Sequence, residues 1–102
     1  MPTAPLLWDA QSYRKDHLDC EPRIIDPVHL DYLGILMEVR IRSNGEYFKV
    51  RIDEIEGDKI IGKVITEVYP LMSQPFKQYD EIEFRKENVI DVFDIPKVGV
   101  IL

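Results

Sequence analysis

The dipeptide Asn44-Gly45 lies between two runs in which apolar and charged residues alternate. Both residues tolerate positive φ angles, so the pair predicts a two-residue type I′ turn that joins two antiparallel strands. A shift of one residue would mix apolar with charged side chains, and the alternation therefore fixes the register of the hairpin. Three apolar pairs are expected on one face: Met37 with Ile52, Val39 with Val50, and Ile41 with Phe48.

The opposite face of the hairpin carries four cations and one aromatic ring. In the predicted register Arg40 faces Lys49, and like charges opposite each other destabilise a sheet. An acidic partner or the acid-rich segment 9–31 folding across this face is expected to offset the repulsion. We call this surface the basic face; it comprises Arg40, Arg42, Tyr47, Lys49 and Arg51, with Glu38 opposite Arg51 at one end.

A turn is predicted at Glu56-Gly57-Asp58, followed by a third strand. Ile52 and Ile55 cannot share a face in a regular strand, which predicts a β-bulge near residues 53–54. The run KIIGKVI, 59–65, is apolar enough for a central strand buried on both faces, and Gly62 within it indicates a bend or a close backbone approach.

Two more strands complete the predicted sheet. The segment 66–80, with two prolines, reads as a long connection, EIEF at 81–84 alternates again, and VIDVFDI at 89–95 follows a turn. Closely spaced short strands of this kind predict a mainly β (α+β) fold, a small antiparallel five- to six-stranded curled sheet or barrel. The C-terminal VGVIL is expected to add a sixth strand or to form an edge that pairs with a second copy.

A short N-terminal helical cap is expected to cover one open end of the sheet. Asp26 as N-cap, Pro27 at the first helical position and Gly34 as the stop predict a helix at about 27–33. A second helix is expected within 9–19. We therefore predict a single domain, 1–102, with a cap at 1–34 and a β-barrel core at 35–102. Candidate anchors of the cap are Leu6, Leu7 and Trp8, and then Val28, Leu30 and Leu33.

Composition restricts the class of protein. Hydrophobic residues make up 45% and charged residues 31%, as in ordinary globular domains. The net charge of −6 disfavours a general binder of nucleic acid or of anionic membranes. Cys20 is the single cysteine, and the sequence shows neither a secretory signal nor a membrane span. These features predict a cytoplasmic protein without membrane contact.

The sequence carries no complete signature of a catalytic or metal site. His17, Cys20 and His29 are too few for a zinc site and lie among acids, which raise the pKa of a thiol. The acids at 53–58 do not fit a calcium loop, because the twelfth position from Asp53 is Val64. We therefore expect no cofactor, no metal and no enzyme activity.

The order GDKIIGKV, a proline-containing loop, YDEIEF and NVIDVFD is similar to a family of small bacterial β-barrel domains of unknown function, numbered 2314. The resemblance covers about residues 46–95. Tyr79-Asp80 stands where that family has Gly-Asp, and Val92 stands where it has tryptophan. The resemblance implies a small β-barrel and no activity.

The interpretation that follows is a non-enzymatic protein–protein interaction module, such as a small inhibitory or accessory protein of a bacterium or phage. The basic face would supply electrostatic docking, and Tyr69, Met72 and Phe76 in the long connection would supply apolar contact. The alternative is a small β-barrel that binds nucleic acid through the same basic face. A solvated face, whose cations pair within the chain, and a homodimer are the other readings left open.

Overall fold

The computed structural model describes residues 3–16, 24–68 and 73–93. Within them, five antiparallel strands form one curled, unclosed sheet in the order β4-β3-β2-β1-β5. The predicted mainly β fold with a short N-terminal helix is confirmed, whereas the proposed sixth strand, 98–102, lies outside the described residues. The strands are β1 Glu38–Ser43, β2 Glu46–Glu56, β3 Lys59–Val64, β4 Glu81–Arg85 and β5 Asp91–Val92; the α-helix, α1, is Ala10–Asp16, and 3₁₀ helices span Pro27–Tyr32 and Lys86–Asn88.

The β1–β2 hairpin has the predicted turn and register. Asn44 and Gly45 have φ angles of 48° and 84°, as a type I′ turn requires. The pairs from Glu38–Arg51 to Arg42–Tyr47 are those expected from the sequence. The Met37–Ile52 pair lies just beyond β1, where the Ile52 amide donates to the Met37 carbonyl at 2.8 Å. The alternation therefore directs one complete apolar set inward.

The predicted bulge and the close approach at Gly62 belong to one feature. The pairing of β2 with β3 shifts between Ile52 and Glu54, and Gly62 lies opposite Ile52. A Cβ atom on Gly62 would lie 2.6 Å from the Arg51 carbonyl oxygen. The expectation that β3 is buried on both faces is wrong, since its residues alternate between buried and half-buried. No second layer of described residues fully covers its outer face.

The core lies on the concave side of the sheet. Phe76, from the connection between β3 and β4, is only 3% exposed and packs edge-on against Phe48 with ring centres 5.0 Å apart. The expectation that Phe76 offers a surface contact is wrong, because the connection folds its ring into the core. The other buried members of this core are Leu30, Val39, Ile41, Val50, Ile52, Ile60, Val64, Ile82, Phe84 and Val89.

The predicted helix near residue 27 is a 3₁₀ helix. The Asp26 carboxylate accepts a hydrogen bond from the Val28 amide at 3.1 Å, which is the expected N-cap. Leu30 is buried and Leu33 is partly buried, because residues three apart align along a 3₁₀ helix. Val28 points elsewhere and is exposed, so its predicted burial is wrong.

Residues 3–8 run across the open side of the sheet, between β4 and β1. The Thr3 amide donates to the Glu81 carbonyl at 3.0 Å, and the Trp8 amide donates to the Arg42 carbonyl at 3.0 Å. Leu7 packs on the core, whereas Leu6 is 76% exposed and is not the anchor that was predicted. One extended segment thereby pairs with the edge strand β4 and with the end of β1 that β5 leaves unpaired.

Candidate interaction surface

The five residues predicted for the basic face lie together on the outer side of β1 and β2. The side chains between them point into the core, so the pleat sends this set outward. Tyr47 is exposed and the four cations are half-exposed. Tyr69 and Met72, which were predicted to add apolar contact, lie outside the described residues.

Phe93, the residue that follows β5, joins the basic face. Asp91 pairs with Arg40 in the sheet, which places Phe93, two residues later, on the same outer side. The Arg40 guanidinium carbon lies 5.1 Å from the centre of the Phe93 ring, and the Lys49 ammonium lies 4.5 Å from it. These are cation–π distances. The ring attracts both members of the like-charged pair, and this attraction offsets part of the cost of their repulsion.

Trp8 joins the basic face at its other end. The Arg42 guanidinium carbon lies 5.4 Å from the Trp8 ring centre and 5.5 Å from that of Tyr47. The Trp8 ring also packs against Tyr13 of α1, with centres 5.0 Å apart. The face thus has three aromatic rings, whereas the sequence pointed to Tyr47 alone. The alternation in 89–95 could have indicated Phe93, and the apolar anchor at 6–8 could have indicated Trp8.

Two of the four cations have a carboxylate neighbour. The Lys49 Nζ atom lies 3.6 Å from the Glu38 carboxylate. The Arg51 Nε atom lies 3.4 Å from the Asp53 carboxylate, but the alignment is not that of a hydrogen bond. Arg40 and Arg42 make no ion pair within 3–16, 24–68 and 73–93.

The acid-rich segment does not neutralise the basic face through its described residues. Asp9 accepts the Ser12 amide at 2.9 Å. Asp26 lies 3.4 Å from Arg14, and Asp31 lies 3.8 Å from Lys86. In the described parts of 9–31, therefore, the expected pairing across the face is wrong, because these acids are used locally or by other cations.

A groove with a volume of about 360 Å³ lies at the Trp8 end of the basic face. It is shallow and widely open to solvent, and no carboxylate-bearing residue lines it. Apolar residues, one arginine and the two residues of the hairpin turn surround it. The lining residues are Leu6, Leu7, Trp8, Arg42, Asn44 and Gly45.

The residues considered for metal or acid–base chemistry are not assembled in the described parts of the chain. His29 is exposed, as are Glu54, Glu56 and Asp58 of the acidic turn. Among the described residues, no group of three or more His, Cys, Asp and Glu side chains is placed to hold a metal ion. His17 and Cys20 lie outside those residues. No helix in the described ranges has the length and apolar character to cross a membrane.

Comparison with known proteins adds no relative. No protein-family model matches the chain, and neither the curated proteins nor the solved structures contain a match. The resemblance to domain family 2314 therefore stays an expectation from the sequence. The structure defines the class as a mainly β domain with one curled antiparallel sheet, and the geometry of the basic face carries the functional inference.

Proposed function

We propose that this chain is a non-enzymatic protein–protein interaction module whose basic face docks on an acidic surface of a partner. The observation that carries the proposal is the state of Arg40 and Arg42. Both are half-exposed on the outer side of β1, and neither has a carboxylate partner among the described residues. Arginine recognises carboxylates through two parallel hydrogen bonds, so two neighbouring guanidinium groups are suited to an acidic partner.

The aromatic rings favour binding by ordering these guanidinium groups. Trp8 and Tyr47 flank Arg42, and Phe93 lies under Arg40. A side chain already held in place loses less conformational entropy when a ligand binds. The rings therefore support the interpretation of this surface as a preformed anion-binding site, and not as a set of freely moving surface charges.

Nucleic-acid binding is the second candidate, and the interleaving of aromatic rings with cations favours it. Two observations favour a protein partner over nucleic acid. The chain has a net charge of −6, so a long polyphosphate that extends past the basic face meets a repulsive surface. The Phe93 ring is also approached by both Arg40 and Lys49, which compete with a base for its face.

The test compares the wild-type chain with an Arg40→Glu/Arg42→Glu variant in pull-downs from host lysate, with and without nuclease. The matched control is Lys77→Glu/Arg85→Glu, which makes the same change in charge at two exposed cations off the basic face. We expect a specific protein to be retained after nuclease treatment by the wild type and the control, and lost with the basic-face variant. Circular dichroism of each variant checks that it folds.

Other results select the other readings. Recovery of nucleic acid alone, removed by nuclease and weakened steeply by salt, would support the second candidate. Identical capture by the wild type and the Arg40→Glu/Arg42→Glu variant would show that the basic face is only a solvated surface. Loss of capture with both double variants would show a response to net charge and not to this site.

A further inference from the structure

The groove at the Trp8 end of the basic face is lined by two residues that can donate hydrogen bonds to an anion. The Arg42 guanidinium carbon lies 5.4 Å from the Trp8 ring centre and 5.5 Å from that of Tyr47, and Arg42 makes no ion pair within the described residues. Gly45 also lines the groove, and its amide donates to no acceptor in the described parts of the chain.

The Gly45 amide is unused because of its position in the turn. Gly45 is the second central residue of the type I′ turn, with a φ of 84°, and the pairing that closes the turn joins Ser43 with Glu46. Asn44, the first central residue, donates its amide to the Leu6 carbonyl at 3.1 Å. A Cβ atom on Gly45 would meet no atom within 4 Å, so the space around this residue is open.

The other lining residues, Leu6, Leu7 and Trp8, make the rest of the groove apolar. Leu6 is 76% exposed, so an apolar ligand group that covers it removes apolar surface from water. The volume of 360 Å³ is close to the lower end of the range for ligand pockets, about 300–1,000 Å³. The groove therefore fits a small ligand group that combines a carboxylate with an apolar side chain.

We propose that this groove binds the C-terminal residue of a partner protein. The main-chain carboxylate of that residue accepts hydrogen bonds from Arg42 and from the Gly45 amide, and its apolar side chain contacts Leu6 and Trp8. The inference rests on the proposed function and names the part of the partner that docks at this end of the basic face. Arginine binds carboxylates through charge-assisted hydrogen bonds, and capture of a terminal carboxylate by backbone N–H groups is a recurring mode of peptide recognition.

A chain terminus fits the groove better than an internal acidic residue does. In an extended segment, neighbouring side chains point to opposite faces, and the next side chain on the same face is about 7 Å away. A helix with its side chains is about 10–12 Å across, which is too wide for a groove of this volume. At a C-terminal residue, by contrast, the carboxylate and the apolar side chain are attached to the same Cα atom. The open side of the groove leaves room for the residues that precede it.

The probe is a library of short random peptides displayed with free C-termini and selected on the full wild-type chain. Each selected peptide is synthesised with a free and with an amidated C-terminus, since amidation removes the terminal charge, and both forms are titrated by fluorescence polarisation. Arg42→Gln removes the cation, with Arg42→Lys as its control. Leu6→Glu places an acid at the groove. Its control, Ile35→Glu, makes the same change at an exposed apolar residue that does not line the groove.

We expect the selected peptides to end in an apolar residue and to bind about tenfold more weakly when amidated, because charged hydrogen bonds are lost. Arg42→Gln should weaken binding of the free acid by about tenfold, Arg42→Lys should weaken it less, and neither should change binding of the amidated form by as much. Leu6→Glu should weaken binding through repulsion of the carboxylate, whereas Ile35→Glu should not. On the wild-type chain, the NMR signal of the Gly45 amide should shift with the free acid and not with the amidated peptide, a readout that does not depend on any variant.

Equal affinity for the free and amidated peptides, with no shift of the Gly45 amide signal, overturns this inference. If such peptides still lose affinity for Arg40→Glu/Arg42→Glu, the proposed function stands while the inference fails. If no selected peptide depends on the basic face, both fail. Concentration-dependent self-association that Arg42→Gln abolishes would identify a second copy of this chain as the occupant and would overturn a separate partner.

Discussion

Arg40 and Lys49 stand opposite each other on β1 and β2, and both approach the ring of Phe93, at 5.1 Å and 4.5 Å from its centre. A pair of like charges in this position destabilises a sheet. The negative face of the aromatic ring reduces that cost, and Glu38, 3.6 Å from Lys49, reduces it further. The charge pattern of the hairpin is thus compatible with folding because β5 brings an aromatic ring beneath it.

Phe93→Leu should lower the free energy of unfolding by about 1 kcal/mol, because the substitution keeps much of the apolar volume but removes the ring. Without the ring, the repulsion between Arg40 and Lys49 is no longer offset. Salt screens this repulsion, so the difference in free energy of unfolding between the variant and the wild type should shrink at high ionic strength. Urea unfolding at low and high salt measures both effects. Phe93→Tyr, which retains a ring, should stay near the wild type. A deficit that does not change with salt would show that packing alone is lost.

Position 62 requires glycine because the neighbouring strand lies too close for a Cβ atom. A methyl group there would lie 2.5 Å from the Val50 Cγ1 atom and 2.6 Å from the Arg51 carbonyl oxygen. Gly62→Ala should therefore lower the free energy of unfolding by about 2 kcal/mol or more, through overpacking next to the bulge. Thermal and urea unfolding measure the loss.

Gly34→Ala is the matched control, because the nearest atom to its Cβ would be the Met37 sulfur at 3.7 Å. That is an ordinary contact, and the change should be neutral or stabilising by about 0.5 kcal/mol through the unfolded state. If both alanine variants lose the same stability, the close approach at Gly62 is not the cause.

The parts of the fold that were predictable from the sequence have local causes. Asn44-Gly45 sets the turn, and the alternation on either side sets the register. The spacing of Ile52 and Ile55 indicated the bulge, and the structure has it between Ile52 and Glu54. In each case the signal and the structure that it produces lie within a few residues of each other.

The unpredicted parts depend on contacts between distant segments. Trp8 reaches Arg42 because residues 6–8 pair with β1, and nothing in either stretch alone specifies that pairing. Phe93 reaches Arg40 through the pairing of β5 with the other part of β1. Phe76 lies in a connection without periodicity, so the pattern gave no sign that it points into the core.

Leu36 has a φ of 73°, in the left-handed region that is costly for a residue with a Cβ. It is also 52% exposed, so substitution removes limited packing. Leu36→Asn should raise the free energy of unfolding by about 0.5–1 kcal/mol, because asparagine tolerates this conformation better. Ile35→Asn, at a residue that is 54% exposed and has no positive φ, should give no gain. Equal effects of the two changes in urea unfolding would contradict the assignment to backbone strain.

Ser43 and Gln74 form a reciprocal pair that attaches the connection before β4 to β1. Ser43 is fully buried; its hydroxyl donates to the Gln74 side-chain oxygen at 2.9 Å, and the Gln74 amide donates to the Ser43 carbonyl at 2.9 Å. Gln74→Leu would leave both the hydroxyl and the carbonyl without this partner. We expect the free energy of unfolding to fall by about 2 kcal/mol, the cost of unsatisfied buried polar groups.

A double-mutant cycle separates this cost from lost packing. Ser43→Ala alone should cost about 1 kcal/mol, since the Gln74 amide still has its carbonyl acceptor. In the Gln74→Leu background, Ser43→Ala should cost less stability than in the wild type or should restore some, because it removes a hydroxyl that has lost its partner. Strict additivity of the two changes in urea unfolding would mean that the hydrogen bond between the side chains contributes nothing and that Gln74 acts through its backbone contact with β1.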